Sequence, residues 1–491
     1  MKNRKSGVLA HLSSLPGNYG IGSLGKPAKN FIDFLHSAGQ SLWQIMPLGP
    51  TGYGDSPYAC FSAFAGNPNF ICLDELKNYN LISGAVLKKS PKFPNKKVDY
   101  AAVTNFHNSI LETAFNNFIN KKIKTLSDEF NNFKINQNFW LDDFARFMAC
   151  KKINAQRAWI DWSNGKNKLK FPKGKINELD VEFFKFSQFI FYKQWFNIKK
   201  YANDKNIKII GDMPIFVAYD SADVWAKPKL FQLDNKGKMT HVAGVPPDYF
   251  SKTGQLWGNP LYNWKECEKN NFNWWIDRFN WMNNVVDIIR IDHFRGFCAC
   301  WSVPANHSTA EKGKWEKVPG EKLFHTLKSQ FGELPLIAED LGEITDDVIK
   351  LRDKFNLPGM KILQFGFGGD AKNSFLPHNY VKNCVAYTGS HDNDTVVGWF
   401  SKLDLKTKNH VLNYLNCNGI NIAWDMIRTA LSSVADMAII PMQDILELDN
   451  KARMNFPGTA QGNWQWRFKN TDLKENIALK LKSLTELYGR I

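Results

Sequence analysis

The sequence predicts an α/β fold, a closed (β/α)8 TIM barrel, and three observations predict it. Eight short apolar runs recur with helical stretches between them, the pattern of buried parallel strands in βα units. No Gly-rich phosphate loop follows an early run, which argues against the alternative of an open doubly wound sheet. Four carboxylates stand directly after such runs, where a barrel collects its functional groups.

The runs can be taken in order. Val8–Leu12 is the first and Leu42–Leu48 the second. Ile207–Ile210 precedes Gly211-Asp212, Val285–Ile291 precedes Asp292, and Leu336–Ala338 precedes Glu339. Met360–Phe365 follows Pro358-Gly359, Val385–Thr388 leads into Gly389-Ser390-His391-Asp392, and Asp436–Pro441 is the last. Between them, Pro27–Ala38 carries apolar residues at helical spacing, and Thr345–Phe355 reads as a helix with a Thr cap and Asp346 and Asp347 in its first turn. The spacing is uneven. Residues 50–200 read as a mainly helical, aromatic-rich insertion between strands two and three, and residues 213–265 as a loop subdomain between strands three and four. The whole chain, 1–491, reads as one catalytic barrel domain, and residues 442–491 leave no room for a C-terminal β-sandwich.

Bulk composition narrows the class. At 44% hydrophobic and 22% charged the chain is globular, with no run approaching the ~18 apolar residues of a membrane-spanning helix. A cytoplasmic enzyme with no membrane partner is the expectation. The eight cysteines are scattered with no C-x-x-C pair, so reduced thiols are expected and no metal or disulfide framework is indicated. The net charge of +16 raises the question of nucleic acid. Its lysines are dispersed, however, and the densest runs, Lys88–Lys97, Lys121–Lys124 and Lys166–Lys175, carry no nucleic-acid motif; they read as solvated surface.

The chemistry is carried by the strand-end acids. Asp212, Asp292, Glu339 and Asp392 follow the third, fourth, fifth and seventh barrel strands, with Arg290 and His391 beside them. One such acid is ordinarily a cap or a solvated residue; four at matching positions form a costly cluster that needs a purpose. A metal reading would draw on His293 and His391 together with the carboxylates. A glycosidic reading needs one ionised and one protonated carboxyl roughly 5 Å apart, and adjacent strands place Asp292 and Glu339 near that separation. In that reading the charge of Asp292, helped by Arg290, keeps Glu339 protonated. Aromatic residues in polar, Gly-rich loops are candidate sugar platforms: Tyr58 and Trp257, with Gln255 and Asn463 to hydrogen-bond and Phe365 at the end of strand six. Gly254 and Gly258 flank the Gln255–Trp257 tip, a spacing that suits either a closing loop or two ordinary turns.

Ordered blocks along nearly the whole chain resemble the amylomaltases, the bacterial 4-α-glucanotransferases or disproportionating enzymes of the α-amylase clan. They run from Ser13-Ser14-Leu15-Pro16-Gly17 through Gly52-Tyr53-Gly54-Asp55-Ser56-Pro57-Tyr58, Gly211-Asp212-Met213-Pro214 and Gly244-Val245-Pro246-Pro247-Asp248. They continue in Gly254-Gln255-Leu256-Trp257-Gly258-Asn259-Pro260, the carboxylate motifs, Arg453-Met454-Asn455 and Gly462-Asn463-Trp464. Ala59-Cys60 depart from the pattern, where polar residues are expected. The resemblance implies Asp292 as nucleophile, Glu339 as acid/base and Asp392 as transition-state stabiliser, with Arg290, His391 and Asp212 flanking. It also places Tyr58, Gln255, Trp257 and Asn463 near substrate. It implies transfer of α-1,4-glucan segments between maltooligosaccharides, glycogen or starch chains, with glucose as an acceptor, and no cofactor. The rival readings are an α-glucan hydrolase with the same acids and a non-catalytic glycan-binding protein.

Overall fold

The computed structural model describes residues 4–162, 176–247 and 251–491. The strands in chain order are β1 Lys5–Leu9, β2 Leu42–Gln44, β3 Lys208–Pro214, β4 His241–Val245, β5 Gln255–Pro260 and β6 Ile288–Asp292. They continue as β7 Ala299–Pro304, β8 Lys314–Lys317, β9 Leu336–Ala338, β10 Gly359–Ile362, β11 Cys384–Tyr387 and β12 Met437–Pro441. Eight of them form one parallel sheet in the order β10-β11-β12-β1-β2-β3-β6-β9. The two ends meet where the Ala338 N–H donates to the Pro358 carbonyl (2.9 Å) and the Met360 N–H to the Asp340 carboxylate (2.7 Å). The sheet is therefore rolled into the expected (β/α)8 barrel, its seam lying beside Glu339.

All eight apolar runs contribute a barrel strand, but the boundaries move. The first strand starts earlier and ends at Leu9, because Leu12–Ser14 turns into a 3-10 helix; β10 ends at Ile362, so Phe365 lies in the 3-10 turn Leu363–Gly368 instead of in a strand. Leu9, Leu42, Ile210, Ile337, Met360, Val385, Tyr387 and Ile439, from seven of the strands, pack together with Ile288 of an eighth. Only the inside of the cylinder brings all eight strands to one point. Strand side chains alternate, so the residue two positions on shares its face. Leu42 thus leads to Gln44, Ile210 to Asp212, Ile288 to Arg290 and Asp292, and Ile337 to Glu339. The apolar plug of the barrel gives way to a polar layer at the C-terminal ends.

The helices cover the outside. In Lys26–Ser37, Ala28, Phe31, Ile32 and Leu35 are buried at helical spacing behind a Pro in the first turn. Helix Asp346–Lys354 begins at Thr345 as expected, but the Thr345 hydroxyl bonds the Asp347 carboxylate instead of capping a backbone N–H. Between β2 and β3 the chain is helical, ending in the 27-residue helix Glu178–Asp204, which buries Phe183, Phe186, Phe189, Phe191, Tyr192 and Trp195. Between β3 and β6 it makes β4 and β5. These join β7 and β8, which follow β6, in an antiparallel sheet of order β5-β4-β7-β8. Gln255 and Trp257 therefore lie on a paired strand, not on a free loop tip. No helix among the described residues is long and apolar enough to cross a membrane. The Lys166–Lys175 run and Asp248 fall outside the described residues.

Candidate active site

The site begins with register. Ile291 pairs with Ala338, so Asp292 and Glu339 are opposite one another at the ends of β6 and β9, on strands whose neighbours run about 4.8 Å apart. The Glu339 N–H donates to the Ile291 carbonyl (3.0 Å), which extends the pairing to the acid itself. His293 follows Asp292 in the left-handed region (φ 54°), a conformation that costs a residue with a Cβ about 1–2 kcal/mol and persists where the surroundings hold it. Its effect is to aim the His293 N–H at Glu339 Oε2 (2.6 Å), while the Leu341 N–H donates to Oε1 (2.9 Å). The Glu339 side chain is thus fixed from both sides.

Arg290 is the hub of the polar layer. Its Nη1 bonds both oxygens of Asp212 (2.7 Å each) and Oδ1 of Asp292 (3.1 Å). Tyr58 donates its hydroxyl to Asp212 Oδ2 (2.8 Å) and accepts from His391 Nε2 (2.9 Å), with the two rings stacked 5.2 Å apart. His391 Nε2 also lies 3.3 Å from Asp392 Oδ2, and Asn455 Nδ2 donates to Asp392 Oδ1 (2.6 Å). Six of the residues singled out from sequence are therefore joined by side-chain contacts, Tyr58, Asp212, Arg290, Asp292, His391 and Asp392, and Glu339 stands beside them on the neighbouring strand end, held by backbone N–H groups.

Burial sets the protonation pattern. It lifts the Glu339 carboxyl above its ordinary value; Arg290 and the two backbone N–H groups pull it down, and the Asp292 charge pushes it up. Burial lifts Asp292 too, against the opposing pull of Arg290. Arg290 touches Asp292 directly, which favours the charge on Asp292 and the proton on Glu339. The cause expected from sequence, the charge of Asp292, contributes to the protonation of Glu339, but burial comes first. At Asp392 burial pushes upward as well, but His391 and Asn455 overcome it and hold the carboxyl down to about 2. His391 is raised despite burial, chiefly by Asp392, whose charge favours the protonated ring.

The remaining candidates are placed less uniformly. Trp257 is 37% exposed, with its ring edge-on to His293 at 4.7 Å and its indole N–H on Gln255 Oε1 (3.2 Å). Both residues thereby join the group through His293. Phe365 is equally exposed and leans on Phe375, apart from the network. Asn463 is buried and spends its amide inside its own loop, on the Thr459 carbonyl and hydroxyl and the Phe456 N–H, rather than facing the acids. Three residues without an assigned role from sequence also belong here, and His293 with them. Asn455 and Arg453 hold Asp392 and the carbonyl behind it, Trp464 packs against Tyr58 and His391, and His293 orients Glu339. Asn455 and Arg453 lie some sixty positions from Asp392, so no local spacing could have linked them. His293 stands in the strand-end motif, where its residue type suggests a metal ligand and its backbone N–H does the work instead. Among the described residues no cluster of His, Cys, Asp and Glu has the geometry to hold a metal ion.

A parallel barrel whose mouth sets an ionised and a protonated carboxyl on adjacent strand ends defines a class: enzymes that work on glycosidic bonds. Comparison with known proteins narrows it. The model of the 4-alpha-glucanotransferase family matches residues 10–473. A 4-alpha-glucanotransferase of Synechocystis is 47% identical over 501 residues, covering 100% of this chain and 99% of its own; one from Clostridium butyricum is 47% identical over 494, covering 98% and 99%. The solved amylomaltase from Streptococcus agalactiae, in complex with acarbose, superposes with a TM-score of 0.95 at 41% identity and 99% coverage of both chains. The chain belongs to the 4-alpha-glucanotransferase family and is an enzyme of that kind.

Proposed function

We propose that the protein moves α-1,4-linked glucan segments from a donor chain to an acceptor glucan or to glucose by retaining double displacement. Asp292 attacks the anomeric carbon while Glu339 gives its proton to the departing oxygen, and a covalent β-glycosyl enzyme forms. Glu339, now ionised, takes the proton of the incoming sugar hydroxyl, whose oxygen attacks the same carbon and restores the α-linkage. Arg290 keeps Asp292 ionised, and Asp392, fixed by His391 and Asn455, holds ring hydroxyls as positive charge develops at the anomeric carbon. Trp257 offers an exposed ring to the sugar and shields the centre from water.

The observation that supports this reading is the register of β6 with β9, in which Ile291 pairs with Ala338 and Asp292 and Glu339 follow on adjacent strand ends; a retaining mechanism needs its two carboxyls roughly 5 Å apart. The acarbose bound by the Streptococcus agalactiae relative supports an oligosaccharide ligand. The test is incubation with maltotriose while reducing ends and chain lengths are followed. Transfer yields glucose and longer chains at constant reducing ends; a steady rise in reducing ends would instead make the protein a hydrolase, and no reaction a binding protein.

A further inference from the structure

Away from the acids, helices Glu178–Asp204 and Asn273–Val285 and the turn after Lys124–Asn136 enclose a surface cavity of about 620 Å³. That lies within the roughly 300–1,000 Å³ typical of small-molecule sites. None of its lining residues belongs to the catalytic group. Three rings form one side: Trp281, with Phe139 and Phe196 each about 6.4 Å from it at steep angles. Phe196 is 37% exposed on a helix whose other aromatic residues are mostly buried.

The opposite character comes from carboxamides. Asn136, Gln137, Asn280 and Asn284 face the same space. Gln137 gives only its Oε1 to Trp140, and Asn284 only its Nδ2 to the Asn280 carbonyl; the side chains of Asn136 and Asn280 make no hydrogen bond among the described residues. Each amide offers both donor and acceptor capacity, which suits vicinal hydroxyl groups. The two lysines present do not make the cavity an anion site. Lys199 bonds the carbonyls of Asn284 and Val286 and lies 3.6 Å from Asp287, and Lys200 is paired with Asp204 at 2.7 Å. No carboxylate is among the described lining residues. Flat rings beside uncommitted amides, with charges neutralised, match a neutral polyhydroxylated chain.

We infer that this cavity is a second binding site, outside the catalytic centre, for a segment of α-1,4-glucan. The ligand chemistry rests on the glucanotransferase reading. A glycogen particle carries many chains, so one chain held in the cavity keeps others near the catalytic cleft, whereas a trisaccharide is too short to serve both. The experiment compares the full-length protein with Phe196→Ala and Asn280→Asp, the latter putting a charge among the amides without changing size. Trp281 is left alone because its indole N–H holds the Phe64 carbonyl in the core. Electrophoretic retardation by glycogen should fall about five-fold in each variant, and KM for glycogen should rise in proportion. Turnover of maltotriose should stay at the wild-type level. Unchanged retardation in Asn280→Asp overturns the site, as does retardation displaced by polyphosphate but not by maltoheptaose. Where Phe196→Ala also loses maltotriose turnover, its packing is disturbed and Asn280→Asp decides. Failure of the wild type to disproportionate maltotriose counts against the glucanotransferase reading alone, because retardation reads binding whether or not turnover occurs.

Discussion

Glu339 is held by two backbone N–H groups and still lies above its ordinary range, because burial outweighs them. Replacing the acid by an amide keeps the shape and removes the proton that the leaving oxygen needs. Glu339→Gln should lower kcat on maltotriose by about 10²–10⁴-fold, and Asp292→Asn by at least as much. Reducing-end and chain-length assays read both; near-normal turnover in either variant rejects that residue's role. Because Glu339 must enter the reaction protonated, the first half-reaction should fade as pH rises through its raised value, later than an exposed carboxyl would allow. Tyr58 offers a finer test. Its hydroxyl joins Asp212 to His391, and a hydrogen bond to a charged group is worth about 1.5–3 kcal/mol, so Tyr58→Phe should cost about ten-fold or more in kcat. A wild-type kcat would show that the bridge plays no part in turnover. The strand-end acids were legible from sequence because a barrel concentrates function at one end of its strands. The residues that orient them were not: Asn455 reaches Asp392 only because the chain returns after the last strand.

At the scale of the element, the barrel strands were legible because parallel strands buried on both faces read as unbroken apolar runs. β4, β5, β7 and β8 were not. They are four to six residues long, three of them hold Gly or Pro, and the central pairing, β4 with β7, joins across more than fifty residues of intervening chain. Gly211 in β3 shows how closely strand and helix layers approach: a Cβ there would meet Val286 Cγ1 at 2.6 Å. Gly211→Ala should destabilise the protein by about 1–3 kcal/mol, visible as a lower Tm. The segment from β11 to helix Val396–Lys402 is tied by Asp444, which accepts from the Thr388 hydroxyl (2.6 Å) and the Val396 N–H (2.8 Å). Burial lifts that carboxyl to about 6 against those two bonds. The unfolded chain ionises at the ordinary, lower value, so between there and about 6 folding takes up a proton. Stability therefore falls as pH rises through that window and stays reduced above it. Asp444→Asn removes the loss. It should melt like wild type near pH 4 and be more stable by about 2–3 kcal/mol at pH 8. An equal offset at both pH values would show that ionisation is not the cause.

Over the whole molecule, the last residues close the base of the barrel. The Arg490 guanidinium is buried and donates to the carbonyls of Leu431, Lys5 and Ser433, joining the end of the chain to β1 and to the turn before β12. Arg490→Met keeps much of the bulk but takes this donor from the Lys5 carbonyl and leaves those of Leu431 and Ser433 to Arg4 alone; it should cost about 2 kcal/mol, measured by denaturant unfolding, with little change in kcat.

The antiparallel sheet β5-β4-β7-β8 is built from two excursions of the chain, one on either side of β6, and its central pairing joins them from His241–Pro304 to Gly244–Trp301. Neither excursion is complete without the other. A chimera that borrows residues 241–260 from a relative but keeps its own 299–317 would pair two strands, β4 and β7, that never co-adapted, and Trp257 would shift against His293. Recombination in this family should therefore tolerate crossovers that carry residues 241–317 as one block, and reject those that cut between them.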